Sequence, residues 1–326
     1  MVGLDRVGST TPIAILDDYQ GVALGMADWS LLEGRAHIVV FQDHISDATE
    51  LVSRLSQFEV ICVLRERTPL PRPILERLPK LKLIASVTMR NASIDMVAAK
   101  ELGVTVCGTG SPSQGAPVLT WTLILAMLRN LPAELASVRN GRWQVSLGGD
   151  LKGHTLGVLG LGKIGSLVAS VGRAFGMNVI AWSQNLTPEV ANERGARLVS
   201  KEDLFRNSDI LTLHMVLSDR SRGIVGAREL ALMKPSAYLI NTSRGLLVDE
   251  QSLIEVLRRC KIAGAALDVY GVEPLPADHP FRSLGNVMAT PHIGFVTRDT
   301  YKTFYRETVE NIIAWLDGRP IRVLNP

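Results

Sequence analysis

Three side chains in the second half of the chain have the chemistry to reduce a carbonyl that stands next to a carboxylate. Arg244 follows the apolar run YLINTS, Glu273 lies in VYGVEPLP after GAALDV, and His292 lies in TPHIG directly after NVMAT. A guanidinium grips a carboxylate in a fork and polarises the neighbouring carbonyl, which the point charge of a lysine does less specifically. An imidazole exchanges a proton near neutral pH. A carboxylate on its other nitrogen fixes the tautomer and stabilises the imidazolium once it forms. Singly, each has an ordinary reading: a surface ion pair, a solvated loop acid, a structural histidine. What singles them out is that each follows a strand-like run, and open α/β sheets bind ligands at the C-terminal ends of their strands.

The segment that must organise them is Thr155 to Phe175, TLGVLGLGKIGSLVASVGRAF. It reads as strand, tight turn and helix, with Gly157, Val158 and Leu159 as buried strand and Ile164, Leu167, Val168 and Val171 at helical spacing. In such a turn the first glycine, Gly160, permits the bend, Gly162 lets a pyrophosphate approach the backbone, and Gly165 allows close helix packing. Gly160, Gly162, Lys163, Ile164 and Gly165 are therefore candidate contacts to a dinucleotide, NAD or NADP. Ser183 and Gln184 end the next strand-like run, NVIAW, where an acid would bind the ribose 2′-hydroxyl of NAD. The first acid, Glu189, comes late, and no arginine adjoins that strand end. Both cofactors stay open, as does the reading of Ser183 and Gln184 as a helix-capping turn. Asp268, at the end of GAALDV, is placed to touch the nicotinamide or to support the histidine network. His214, on DILTLHM, is read as a wall residue.

Around this segment the chain alternates strand-like and helix-like stretches, the pattern of parallel sheets with crossover helices. PIAILD, AHIVVF, FEVICVL, LKLIAS and VTVCG form a first block, and GTGSPSQGAP marks a domain crossing before a buried helix over Val118 to Leu128. Six strands then begin at Thr155: TLGVLG, NVIAW, DILTLHM, AYLINT, GAALDV and NVMAT. An amphipathic stretch, Arg298 to Leu316, and a strand-like IRVLNP close the chain and have no sheet of their own. The expected division is residues 1–110 and 298–326 for one discontinuous α/β domain, with a dinucleotide-binding domain at 111–297 inserted in it.

The composition agrees. A chain of 326 residues suits two cores. Its 35 basic and 32 acidic residues, with no basic run, argue against a nucleic-acid partner. No apolar stretch approaches a membrane span, and the N-terminus MVGLDRVGSTTP lacks an export segment. Cys62, Cys107 and Cys260 lack metal-like spacing, so no metal is expected; they read as buried thiols in a reducing, cytoplasmic setting.

GLGKIG, NTSRG, LDVYGVEPLPADHP and TPHIG, in this order, together with MRNASID at Met89 to Asp95 and the closing RVLNP, resemble the D-isomer-specific 2-hydroxyacid dehydrogenases. The likeness covers essentially the whole chain. It implies two Rossmann-like domains, a flavodoxin-like substrate domain and an NAD(P)-binding one, with a cleft between them, and a homodimer formed through the cofactor domain. It makes Arg244 the substrate-binding arginine, Glu273 the partner of the catalytic histidine and His292 the acid/base, acting on a small 2-oxo or 2-hydroxy acid. Thr242, Asp268 and Gly294 would line the nicotinamide end, and Arg90 and Asn91 the substrate carboxylate. Three departures stand out: Val118 for a common glutamate, Val216 for a common proline, and Arg90 for a glycine, the last bearing on substrate size. Two other readings remain. A dinucleotide-sensing scaffold, as in the related carboxy-terminal-binding corepressors, keeps the same three residues, although the ending RVLNP shows no recruiting tail. Oxidation of a small anion such as phosphite also fits, whereas a formate-type site would pair the histidine with glutamine.

Overall fold

The computed structural model describes residues 10–112 and 114–326; the reading of the N-terminus as free of an export segment falls, for residues 1–9, outside them. The chain divides into two compact units, one that closes at Pro112 and resumes as Thr297–Pro326, and one between them that ends at Val296.

In the first unit the strand-like runs form five parallel strands: β1 (Thr11–Ile15), β2 (Ala36–Val40), β3 (Val60–Val63), β4 (Leu83–Ser86) and β5 (Thr105–Cys107). Their order is β2-β1-β3-β4-β5, the flavodoxin-like arrangement. Parallel strands covered on both faces read as continuous apolar runs, and β3 and β4 are buried at every residue. Arg298–Leu316 is a single helix that packs in this unit through Phe304, Tyr305 and Ile312. Its Asn311 donates to the Gly108 carbonyl at 2.8 Å, and its Glu307 accepts from the Gly110 amide at 2.7 Å. The expected last strand is not one: only an isolated antiparallel bridge pairs Val323 with Cys107, because Arg322, at a φ of 52°, interrupts the extended run.

The second unit carries seven parallel strands: β6 (Thr155–Leu159), β7 (Asn178–Trp182), β8 (Arg197–Leu198), β9 (Ile210–Leu213), β10 (Tyr238–Asn241), β11 (Gly264–Leu267) and β12 (Val287–Ala289). The order is β12-β11-β10-β9-β6-β7-β8. The sequence reading missed β8, a two-residue edge strand with no apolar run to announce it. Side chains alternate between two cores: Leu159, Leu239 and Ala265 face one, Val158, Ile240 and Ala266 the other. The helix Gly115–Leu128 buries Trp121, Leu123 and Ile124 in the second of these, yet Val118 and Leu125 are exposed, so it is only partly a core helix. Among the described residues no single helix is long and apolar enough to cross a membrane. Cys62 and Cys107 are buried, as expected; Cys260 is exposed in the turn after the helix Glu250–Arg258.

Candidate active site

Arg244, Glu273 and His292 follow β10, β11 and β12, three strands that lie side by side. Parallel neighbours are about 4.8 Å apart, so successive strand ends deliver the three residues to one edge of the sheet. Distance along the chain is thereby converted into proximity.

His292 sits at a φ of 51°, in the left-handed region that side chains other than glycine, asparagine and aspartate seldom adopt. Asp268 holds that turn. Its carboxylate accepts from the Thr290 hydroxyl at 2.6 Å and from the amides of Ile293 and Gly294 at 2.8 Å each, bracketing the histidine on both sides. Burial pushes the pKa of Asp268 up, and these three donors oppose the shift. The imidazole Nδ1 lies 2.5 Å from Glu273 Oε2, and the other oxygen of Glu273 accepts from the Tyr270 amide at 2.9 Å. With Nδ1 engaged, Nε2 is the nitrogen left to exchange a proton. The ring of Phe295 stands edge-on to the imidazole at 5.5 Å.

The loop that carries Glu273 is secured at both ends by a residue the sequence reading did not mark. Glu250 accepts from the Gly271 amide at 3.1 Å and lies 3.1 Å from His279 Nε2. His279 Nδ1 accepts from the Phe281 amide, which leaves the ring proton on Nε2, toward Glu250. Tyr270 adds a cross-tie, its hydroxyl lying 2.8 Å from the Thr290 carbonyl. Gly245 brings this loop against Arg244: a Cβ there would lie 2.0 Å from the Tyr270 backbone.

Arg244 is partly buried, and its Nη1 donates to the Ser243 carbonyl at 2.8 Å. Its backbone is fixed by Asn241, whose side chain donates to the Arg244 carbonyl at 2.9 Å and accepts from the Ser243 amide at 3.0 Å. Thr242 is buried and pairs with the Thr120 hydroxyl at 2.7 Å.

The glycine turn fits a dinucleotide. Gly160 has a φ of 101°, and a Cβ there would come within 2.7 Å of the His214 backbone. A Cβ at Gly165 would strike the Gly160 carbonyl at 2.1 Å, whereas at Gly162 it would meet nothing within 4 Å. The close contacts are thus behind the turn, and the space in front of it is open. The helix Lys163–Ala174 starts there with no side-chain cap, so its first amides face that space, as an anion site requires. Lys163 is exposed and Ile164 partly buried in that first turn. His214 is a wall residue: desolvation pushes its pKa down to about 3, so it is neutral at working pH, and its Nε2 pairs with Thr212 at 2.9 Å.

Ser183 is not a helix cap. The Leu161 amide donates to its hydroxyl at 2.9 Å, tying the end of β7 to the glycine turn, while Thr187 caps the next helix and Gln184 is exposed. An arginine does reach this place, contrary to the reading of the strand end alone: Arg194 donates from Nη1 to the Leu161 carbonyl.

In the first unit Arg90 is exposed beyond β4. Asn91 is buried, and both of its amide hydrogens are engaged, with the Arg65 carbonyl at 2.7 Å and Ser86 Oγ at 3.1 Å. The Asn91 side chain therefore braces the loop on which Arg90 stands and has no side-chain hydrogen left to offer a ligand. Among the described residues no cluster of three or more His, Cys, Asp or Glu side chains is placed to hold a metal ion.

Residues 121–294 match the family described as D-isomer specific 2-hydroxyacid dehydrogenase, NAD binding domain. The chain is 40% identical over 256 residues to a glyoxylate reductase of Aeropyrum pernix, covering 76% of each protein. It is 30% identical over 327 residues to a hydroxypyruvate reductase of Blautia hydrogenotrophica, covering 96% of this chain and 99% of that one. The solved structure of a phosphoglycerate oxidoreductase from Vibrio cholerae o395 superposes with a TM-score of 0.91 at 38% identity, covering 95% of this chain and all of the other.

Proposed function

This chain belongs to the D-isomer-specific 2-hydroxyacid dehydrogenase family, an NAD(P)-dependent oxidoreductase family, and from that premise we propose that it works as a reductase of small 2-oxo acids such as glyoxylate or hydroxypyruvate. The observation that carries the reading is the His292–Glu273 pair at the strand end adjoining that of Arg244. On this reading residues 111–297 form the dinucleotide-binding domain, which also carries Arg244, Glu273 and His292, and residues 1–110 with 298–326 form the substrate domain.

A bound nicotinamide cofactor supplies the hydride for the carbonyl carbon. The protein does the rest. Arg244 binds the substrate carboxylate through its fork and draws electron density from the adjoining carbonyl. His292 gives its Nε2 proton to the carbonyl oxygen as the alcohol forms, and Glu273 stabilises the imidazolium beforehand. Asp268 and Glu250 are positioning residues, one holding the histidine turn and the other the glutamate loop. Thr242 and Gly294 line the nicotinamide end.

Initial rates with glyoxylate, hydroxypyruvate, pyruvate and phenylpyruvate, each with NADH and NADPH, test the proposal. Turnover of at least one acid is expected, with the smaller acids favoured. Silence across the panel in a protein that binds dinucleotide tightly would break the reductase reading and favour a sensor.

A homodimer belongs to the same reading. Leu131, Leu135 and Val138 of the helix Leu131–Arg139, with Trp143 and Leu147 beyond it, expose apolar side chains in one stretch of chain, Leu147 fully. Such a surface calls for a cover. Light scattering should give twice the mass of the 35.5 kDa chain, and Trp143→Glu with Leu135→Glu should shift it toward monomer; a wild-type monomer would reject the homodimer.

A further inference from the structure

We propose that Arg194 selects NADP(H) over NAD(H) by binding the 2′-phosphate of the adenosine ribose. The proposal rests on the dinucleotide reading of the glycine turn and extends it to residues outside any recognised motif.

The ribose end of a dinucleotide lies where the strand after the glycine turn runs out, which here is Ser183 after β7. Selection for NAD needs an acid there to accept from the 2′-hydroxyl. Ser183, Gln184 and Asn185 provide none. The nearest acid in sequence, Glu189, lies in the first turn of the helix Pro188–Glu193, where its carboxylate is engaged by the Thr187 hydroxyl and its own backbone amide. None of Ser183, Gln184 and Asn185 carries a charge that would repel a phosphate.

What the strand end lacks, the far end of the next helix supplies. Gly195, at a φ of 71°, stops that helix, and the Ala196 amide returns to the Ala191 carbonyl at 2.9 Å, the bonding of a glycine-terminated helix. Arg194 caps that end and reaches to the Leu161 carbonyl. The amide of the same Leu161 donates to Ser183 Oγ. Ser183 and Arg194 thus hold the two polar groups of one residue in the glycine turn, which brings a hydroxyl and a guanidinium to the same residue beside the ribose end.

An arginine at a helix C-terminus has an ordinary electrostatic rationale, attraction to the negative end of the helix dipole. That accounts for the charge but not for a side chain laid across to another element. A guanidinium has five donor hydrogens, and no carboxylate among the described residues pairs with this one. A phosphate dianion is a stronger acceptor than a peptide carbonyl, so the guanidinium can turn to it while Ser183 supplies a second donor.

The test is equilibrium binding without substrate. NADPH and NADH are titrated by nicotinamide fluorescence, and 2′,5′-ADP and 5′-AMP by calorimetry, against the wild type, Arg194→Ala and Arg194→Gln. The wild type is expected to bind NADPH and 2′,5′-ADP at least about tenfold more tightly than NADH and 5′-AMP, as one charge-assisted contact allows. Both variants should lose that margin while NADH affinity stays within about twofold, the glutamine variant serving as the milder change. Equal or tighter binding of NADH by the wild type would overturn the inference and leave the reductase reading standing. So would a loss that both variants share between the two cofactors. Binding of neither dinucleotide would overturn the inference together with the reading of the turn.

Discussion

Replacing His292 by asparagine is expected to lower kcat for the best 2-oxo acid by about a hundredfold to ten-thousandfold, the range that removal of a positioned general acid produces. Asparagine is the informative choice because position 292 has a φ of 51°, which asparagine tolerates better than alanine does. The turn held by Asp268 should therefore survive while the proton donor is lost. Dinucleotide affinity should stay within about twofold, since the imidazole acts on the acid and not on the turn at Gly160. Glu273→Gln gives the companion result. Its carbonyl can still accept from the Tyr270 amide, but the carboxylate charge beside the imidazole is gone. A drop of about tenfold or more in kcat is expected, because the imidazole loses the carboxylate that orients it and supports the proton transfer. Full turnover by His292→Asn, with an unchanged pH profile, would remove the histidine from the mechanism.

The ease with which these residues were read from the sequence has a physical origin. A parallel strand buried on both faces is a continuous apolar run, and a ligand-binding residue sits just past its end. Both signals are local, so Arg244, Glu273 and His292 could be picked out, as could the glycine turn. Their mutual placement was not local. It depends on β10, β11 and β12 being neighbours, and on contacts such as Gly245 against the Tyr270 backbone.

Where the expectation and the structure part, side-chain bookkeeping decides. Asn91 stands in a motif that suggested a substrate contact, and its side chain spends both amide hydrogens on the Arg65 carbonyl and Ser86, which leaves the side chain as a brace. Asp268 was open between the nicotinamide and the histidine network, and its oxygens receive three donors from the segment around His292. Glu250 and Arg194 were passed over because each acts across the fold, one on a loop after β11 and one on the turn after β6. The Cys260 thiol follows the same logic in reverse: composition favours burial of a free cysteine, but the residue falls in a helix-ending turn at a φ of 50°, where the chain is at the surface.

Removing the guanidinium of Arg244 should be the second large loss. Two charge-assisted hydrogen bonds to a carboxylate are worth about 1.5–3 kcal/mol each, so Arg244→Ala is expected to lower kcat/KM for a 2-oxo acid by about a hundredfold to ten-thousandfold. Arg244→Lys keeps the charge and loses the fork, and should fall between that variant and the wild type. The turn itself should be unaffected, because Asn241 holds it through the backbone of Ser243 and Arg244. A substrate whose carboxylate is masked as an amide separates this role from a structural one. The wild type should prefer the acid to its amide strongly, while Arg244→Ala should turn over both equally slowly, since neither then has a cation to meet. If Arg244→Ala keeps the wild-type preference for the acid, another cation binds the carboxylate.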